Sequence, residues 1–163
     1  MSEPMTTKTK LTVVVVALAL VVALLVCMKK IRLPIPYPDS LLQETATITV
    51  EASGNACRVA DRPAELLIIT KPKHAVRWKI AGNCPDHTVS VGGFVFAGDG
   101  RQLDPTEERT REVKAEEGQT ITAKVKEEGS QAPRGRYTYL VLIDGRLAGA
   151  DPEFKICPDW PCE

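Results

Sequence analysis

Residues 11–28 read LTVVVVALALVVALLVCM, eighteen consecutive positions without a charge, a Gly or a Pro. At ~1.5 Å per residue this run makes a helix of about 27 Å, close to the hydrocarbon thickness of a bilayer. A buried helix of a soluble core is the alternative. The position near the N-terminus and the flanking Lys8, Lys10, Lys29, Lys30 and Arg32 argue against it. Cleavage as a signal peptide would best follow Ala23, with Val21 two positions before it, but Leu24, Leu25 and Val26 continue the apolar run past that point. Lipoprotein processing at Cys27 would need a small residue where Val26 stands. The run therefore predicts an uncleaved signal-anchor, a single-pass transmembrane helix that places the chain in a lipid bilayer. Lysines on both sides leave the positive-inside count nearly tied, so charge alone does not orient it.

The chain then divides into a short tail at 1–10, the anchor at 11–28, a Pro-containing linker at 29–43 and a domain at 44–163. Pro34, Pro36 and Pro38 alternate along the linker, which excludes helix and favours an extended stalk. The residues from Asp39 onward amount to one domain, enough to bury a core but not two. They carry 16 basic and 20 acidic side chains, so no basic field exists to hold nucleic acid.

That domain reads as strands. In 45–51 (TATITVE) Ala46, Ile48 and Val50 alternate with threonines, the two-residue period of a half-buried strand. The stretches 64–70, 74–80, 87–96, 119–127, 136–144 and 152–157 follow as strands. Val76, Trp78 and Ile80 share one face, as do Ile121, Ala123 and Val125, and Tyr137, Tyr139, Val141 and Ile143. Gly92-Gly93 suggests a bulge or bend, and Asp144-Gly145 a tight hairpin turn. The polar stretch 97–112 reads as a long crossover loop, with one helical turn at Pro105 as an option. About seven short strands without a soluble helix predict an all-β Greek-key β-sandwich. Leu140 and Leu142 lie on the face opposite the Tyr137 row. Either the crossover loop covers them or they form, with the Pro-flanked Trp160, a surface for a protein partner.

Cys57, Cys84, Cys157 and Cys162 lie outside the apolar run. An even number in a small β domain behind an export-type segment predicts two disulfides and an oxidising compartment. Three pairings are open. Pro158 and Pro161 favour a local Cys157–Cys162 loop, with Cys57–Cys84 as the other pair. Cys84 and His87 are also spaced for a metal, but no second compact pair lies nearby. A thiol-redox role for Cys157 and Cys162 lacks the two-residue spacing of such sites. There is no nucleophile elbow, phosphate loop or HExxH motif, and Glu107-Glu108, Glu116-Glu117 and Glu127-Glu128 read as solubilising charge.

The segment Val76-Arg-Trp-Lys-Ile-Ala-Gly-Asn-Cys-Pro-Asp-His87-Thr-Val-Ser-Val, followed later by Glu117-Gly-Gln-Thr-Ile-Thr and Gly135-Arg-Tyr137-Thr-Tyr139, resembles the plastocyanin-type cupredoxins. The resemblance spans about 46–157 and implies their copper-binding sandwich fold. It also implies that His87 stands at the first copper His. Val141 stands where the copper Cys would be, and no His or Met follows His87, so the copper set is missing. The Tyr137-Thr-Tyr139 and Asp151-Pro-Glu153 pattern is similar to the endings of small exported bacterial proteins. The resemblance further places Cys57 and Cys84 near one end of the sandwich. The expectation is a non-enzymatic binding or interaction module without a cofactor, held in a bacterial cytoplasmic membrane with its domain in the periplasm or outside the cell. The alternative is a metal-handling protein that holds Cu or Zn through His87 and Cys84.

Overall fold

The computed structural model describes residues 34–60, 66–107, 109–110, 112–129, 132–148 and 152–162. The tail, the apolar run at 11–28 and the linker as far as residue 33 lie outside them. No helix among the described residues is long and apolar enough to cross a membrane.

The described chain is all-β. Its strands are β1 (Ile35–Pro36), β2 (Thr45–Ser53), β3 (Ala56–Val59), β4 (Ile68–Thr70), β5 (Ala75–Ala81), β6 (Cys84–Phe96) and β7 (Thr106–Glu107). They continue as β8 (Glu112–Ala115), β9 (Thr120–Val125), β10 (Gly135–Ile143), β11 (Arg146–Leu147), β12 (Glu153–Ile156) and β13 (Asp159–Trp160). One curled sheet has the order β4-β12-β10-β6-β8, with β11 paired to β10. The other has the order β3-β2-β5-β9-β7, and β1 and β13 form a separate ladder. Within the sheets β2 runs parallel to β5 and β4 parallel to β12.

Period-two alternation decides which side chains enter the core. Ala46, Ile48 and Val50 of β2, Val76, Trp78 and Ile80 of β5, and Ile121, Ala123 and Val125 of β9 are buried. Facing them are Val89, Val91 and Phe94 of β6, Tyr137, Tyr139, Val141 and Ile143 of β10, and Phe154 and Ile156 of β12. Aromatic rings join the two sheets. The Trp78 ring lies 5.9 Å from Tyr139, edge to face, and 6.3 Å from Phe154. Within the sheet that holds β6, β10 and β12, Phe94 lies 5.7 Å from Tyr139 and 5.6 Å from Phe154. Such pairs add about 0.5–1.5 kcal/mol each beyond the area they bury.

Two buried phenols remain polar and must be satisfied. The Tyr139 hydroxyl donates to the Leu66 carbonyl, and the Tyr137 hydroxyl donates to the Pro133 carbonyl at 2.6 Å. Burial pushes both phenols well above the usual tyrosine range, so they stay neutral donors.

The glycine pair breaks the β6–β10 ladder. Register shifts between Thr138 and Leu140, where Gly92 pairs with Leu140. Gly93 has φ +60°, and a Cβ there would lie 2.7 Å from Leu140 Cδ1. Leu140 thus occupies space that a side chain at 93 would need. Gly93→Ala should lower stability by about 1–2 kcal/mol, from left-handed backbone strain and displacement of Leu140. A urea midpoint equal to that of the parent protein would refute this account.

Stretch 97–112 is not only a loop. Thr106 donates its N–H and its hydroxyl to Asp104 Oδ1, at 2.9 and 2.6 Å, which turns the chain into β7. β7 pairs with β9 where a helical turn was an option, because the edge of β9 offers backbone partners there. β3 is a further strand that the alternation did not reveal. It folds back on β2 through the two-residue turn 54–55, with Ser53 opposite Ala56.

Candidate functional site

A cleft of about 630 Å³ lies where β3, the start of β6 and the β10–β11 hairpin meet. Its walls include Asn55, Arg58, His87, Asp144, Arg146 and Leu147.

The hairpin is built by Asp144-Gly145, with φ of 49° and 73°. Two consecutive positive φ values give the mirror-image turn that matches strand twist, and Asp-Gly is a favoured pair for it. Ile143 then faces Arg146, and Leu142 faces Leu147. The turn holds the Asp144 carboxylate toward β6. There it accepts a hydrogen bond from His87 Nδ1 at 2.6 Å, from the Thr88 N–H at 2.9 Å and from the Thr88 hydroxyl at 3.3 Å. A carboxylate accepts, so the Nδ1 of His87 carries the proton and Nε2 is left for other partners. The hydrogen bond from His87, then that from the Thr88 N–H, holds Asp144 below the usual carboxylate range.

A depressed folded pKa contributes stability that is present above the unfolded carboxylate value and lost as pH falls through the folded one. Below about pH 4 the parent protein should therefore lose stability more steeply than Asp144→Asn, which has no carboxylate to protonate. Urea midpoints measured from pH 6 to pH 2 check this, and parallel curves would refute it.

The cystine Cys57–Cys84 closes β3 onto the start of β6, with Cα atoms 6.0 Å apart. Cys57 lines the cleft and Cys84 is buried. Arg58 sits opposite Glu51 on β2 and pairs with it at 3.0 Å. Arg146 makes no ion pair among the described residues. Leu147 is 64% exposed. Two guanidinium groups, an oriented imidazole and an apolar side chain thus border one opening. Chemically this arrangement suits a ligand with an anionic group and some apolar surface, because the planar guanidinium fork matches carboxylate and phosphate.

The residues singled out from sequence fall into different settings. His87 and Cys84 share β6, but the Cys84 sulfur is bonded to Cys57 and is not a thiolate ligand. Val141 points into the core. The described residues hold no cluster of three or more His, Cys, Asp or Glu side chains arranged for a metal. Cys157 and Cys162 are joined to each other. Leu140 and Leu142 are half-buried, the first against Gly93 and the second beside Leu147. Trp160 is exposed and packs on Tyr37, away from both leucines in sequence and sheet. His74 is held by Glu44 at 2.6 Å.

Sequence reasoning gave no site role to Asp144, Arg146 or Leu147, and did not single out Arg58. The local signal at Asp144 was that of a turn. Its pairing with His87 crosses 57 positions and has no local signature. No protein-family model matches the chain, and no curated protein matches it.

Proposed function

We propose that this chain is a single-pass, membrane-anchored, extracytoplasmic binding module without catalytic activity, and that it takes an anionic ligand in the cleft beside His87 and Asp144. The observation that carries this reading is the convergence of Arg58, Arg146 and the Asp144-oriented His87 on one open cleft of about 630 Å³. The domain is read as a cupredoxin-like Greek-key sandwich without its copper set. Support comes from the strand order, in which the chain passes from one sheet to the other at every step from β3 to β10. The cystines Cys57–Cys84 and Cys157–Cys162 support an oxidising compartment, and the apolar run at 11–28 supports the anchor.

The test is titration of the full chain, in detergent micelles, with a tri-glutamate peptide, followed by resonance shifts at the cleft. Binding is expected to weaken roughly five-fold or more in Arg146→Ala, the loss of one charge-assisted contact, and to fall with added salt. Absence of binding, or equal binding by the variant, would overturn the cleft assignment. A parallel titration with Zn²⁺ and Cu⁺ addresses the metal-handling alternative. Stoichiometric binding abolished by His87→Ala would replace the present reading with that one.

A further inference from the structure

The linker is tied to the far end of the domain. β1 and β13 pair antiparallel, with Ile35 opposite Trp160 and Pro36 opposite Asp159. The Tyr37 N–H donates to the Pro158 carbonyl at 3.1 Å. The buried Tyr37 ring stacks at a tilt on Trp160, with centroids 5.5 Å apart. The Cys157–Cys162 cystine closes the loop that carries β13. Two segments at opposite ends of the described chain are thereby clasped together.

The clasp leaves apolar surface outside. Ile35 is 64% and Trp160 50% exposed, and they are direct cross-strand partners, so their side chains lie on one face. These are two of the four large hydrophobic residues exposed among the described residues. Tyr37 covers one side of the Trp160 ring and leaves the rest open.

Chain length limits where this face can be. Ile35 follows Met28, the end of the apolar run, by seven residues. Even fully extended, seven residues reach only about 25 Å. Three of the residues between are Lys29, Lys30 and Arg32, whose charge suits anionic headgroups. Trp and Tyr are the side chains enriched at the bilayer–water boundary, where an apolar ring meets a polar tip.

We infer that the β1–β13 clasp is a membrane-apposed surface, which lays Trp160 and Ile35 on the lipid headgroup layer. This inference rests on the reading of 11–28 as a transmembrane anchor.

The test uses the full chain reconstituted in phosphatidylcholine–phosphatidylglycerol vesicles. The protein has two tryptophans, and Trp78 is buried in the core, so the difference between the parent and Trp160→Phe reports Trp160 alone. Lipids brominated on the acyl chain near the headgroup should remove about half of the Trp160 emission, as for an interfacial indole. The signal left in Trp160→Phe should be unaffected. Trp160 emission that bromolipids leave unchanged while aqueous acrylamide quenches it overturns the inference. So does shielding from both quenchers, which would favour a second copy of the chain on this face. An alkaline carbonate wash separates the two readings. A chain that stays in the membrane without bromolipid quenching defeats the clasp assignment alone, and a chain that washes off defeats the anchor and the clasp together.

Discussion

Trp78→Ala should cost the domain about 3–5 kcal/mol, the largest loss expected of any single side chain here. Trp78 is completely buried and touches both the Tyr139 and Phe154 rings of the opposite sheet. Truncation removes the transfer energy of the indole and leaves a cavity between two sheets whose register is already set by their own ladders. The sheets cannot close over the gap without breaking those ladders, so relaxation is small. A domain of this size is stable by roughly 5–15 kcal/mol, and the loss would consume a large share of that. Urea unfolding of the full chain in micelles, followed by far-UV circular dichroism, measures it. A loss under about 1 kcal/mol would mean that the inter-sheet core collapses freely, contrary to close packing.

The second large effect concerns the two cystines, and it has an order as well as a size. Cys57–Cys84 spans 27 positions and Cys157–Cys162 spans 5. Loop-closure entropy in the unfolded chain then assigns about 3.5 kcal/mol to the first and about 2 kcal/mol to the second. The first also fastens β3 to β6 across the two sheets and lines the cleft. Cys57→Ser with Cys84→Ser should therefore lower the urea midpoint more than Cys157→Ser with Cys162→Ser, and should weaken ligand binding at the cleft as well. The reverse order of midpoints would show that the C-terminal clasp, not the β3–β6 link, carries the larger share of stability. A free-thiol count on protein alkylated rapidly in its native cells gives the matching observation. Four blocked cysteines in the domain are expected, and four free ones would remove the basis for an oxidising compartment.

The fold was legible where strands are long enough to show a period. β2, β5, β9 and β10 each span six to nine residues, and their buried sets are those that alternation selects. Alternation is a local property, because successive side chains of an extended chain point to opposite faces. Asp144-Gly145 was legible for the same reason, since its conformation is set by the two residues themselves. Strands of two to four residues, such as β3, β7 and β13, contain too few positions for a period. They exist because a neighbouring strand edge offers hydrogen-bond partners, and that neighbour is distant in the chain.

The candidate site follows the same division. His87 stood out by its type and its resemblance position, but its partner Asp144 looked like a turn residue, and Arg58, Arg146 and Leu147 carried no pattern that assigned them a role. Only the packing of β3, β6 and the β10–β11 hairpin brings them to one opening. The sequence by itself determined the apolar run at 11–28, the β class of the domain and the inward faces of its long strands, because each depends on composition or period within one segment. The tertiary structure alone decided the strand order, the His87–Asp144 contact and the β1–β13 clasp. Each joins segments tens of residues apart, and no local pattern records which distant backbone or side chain will arrive there.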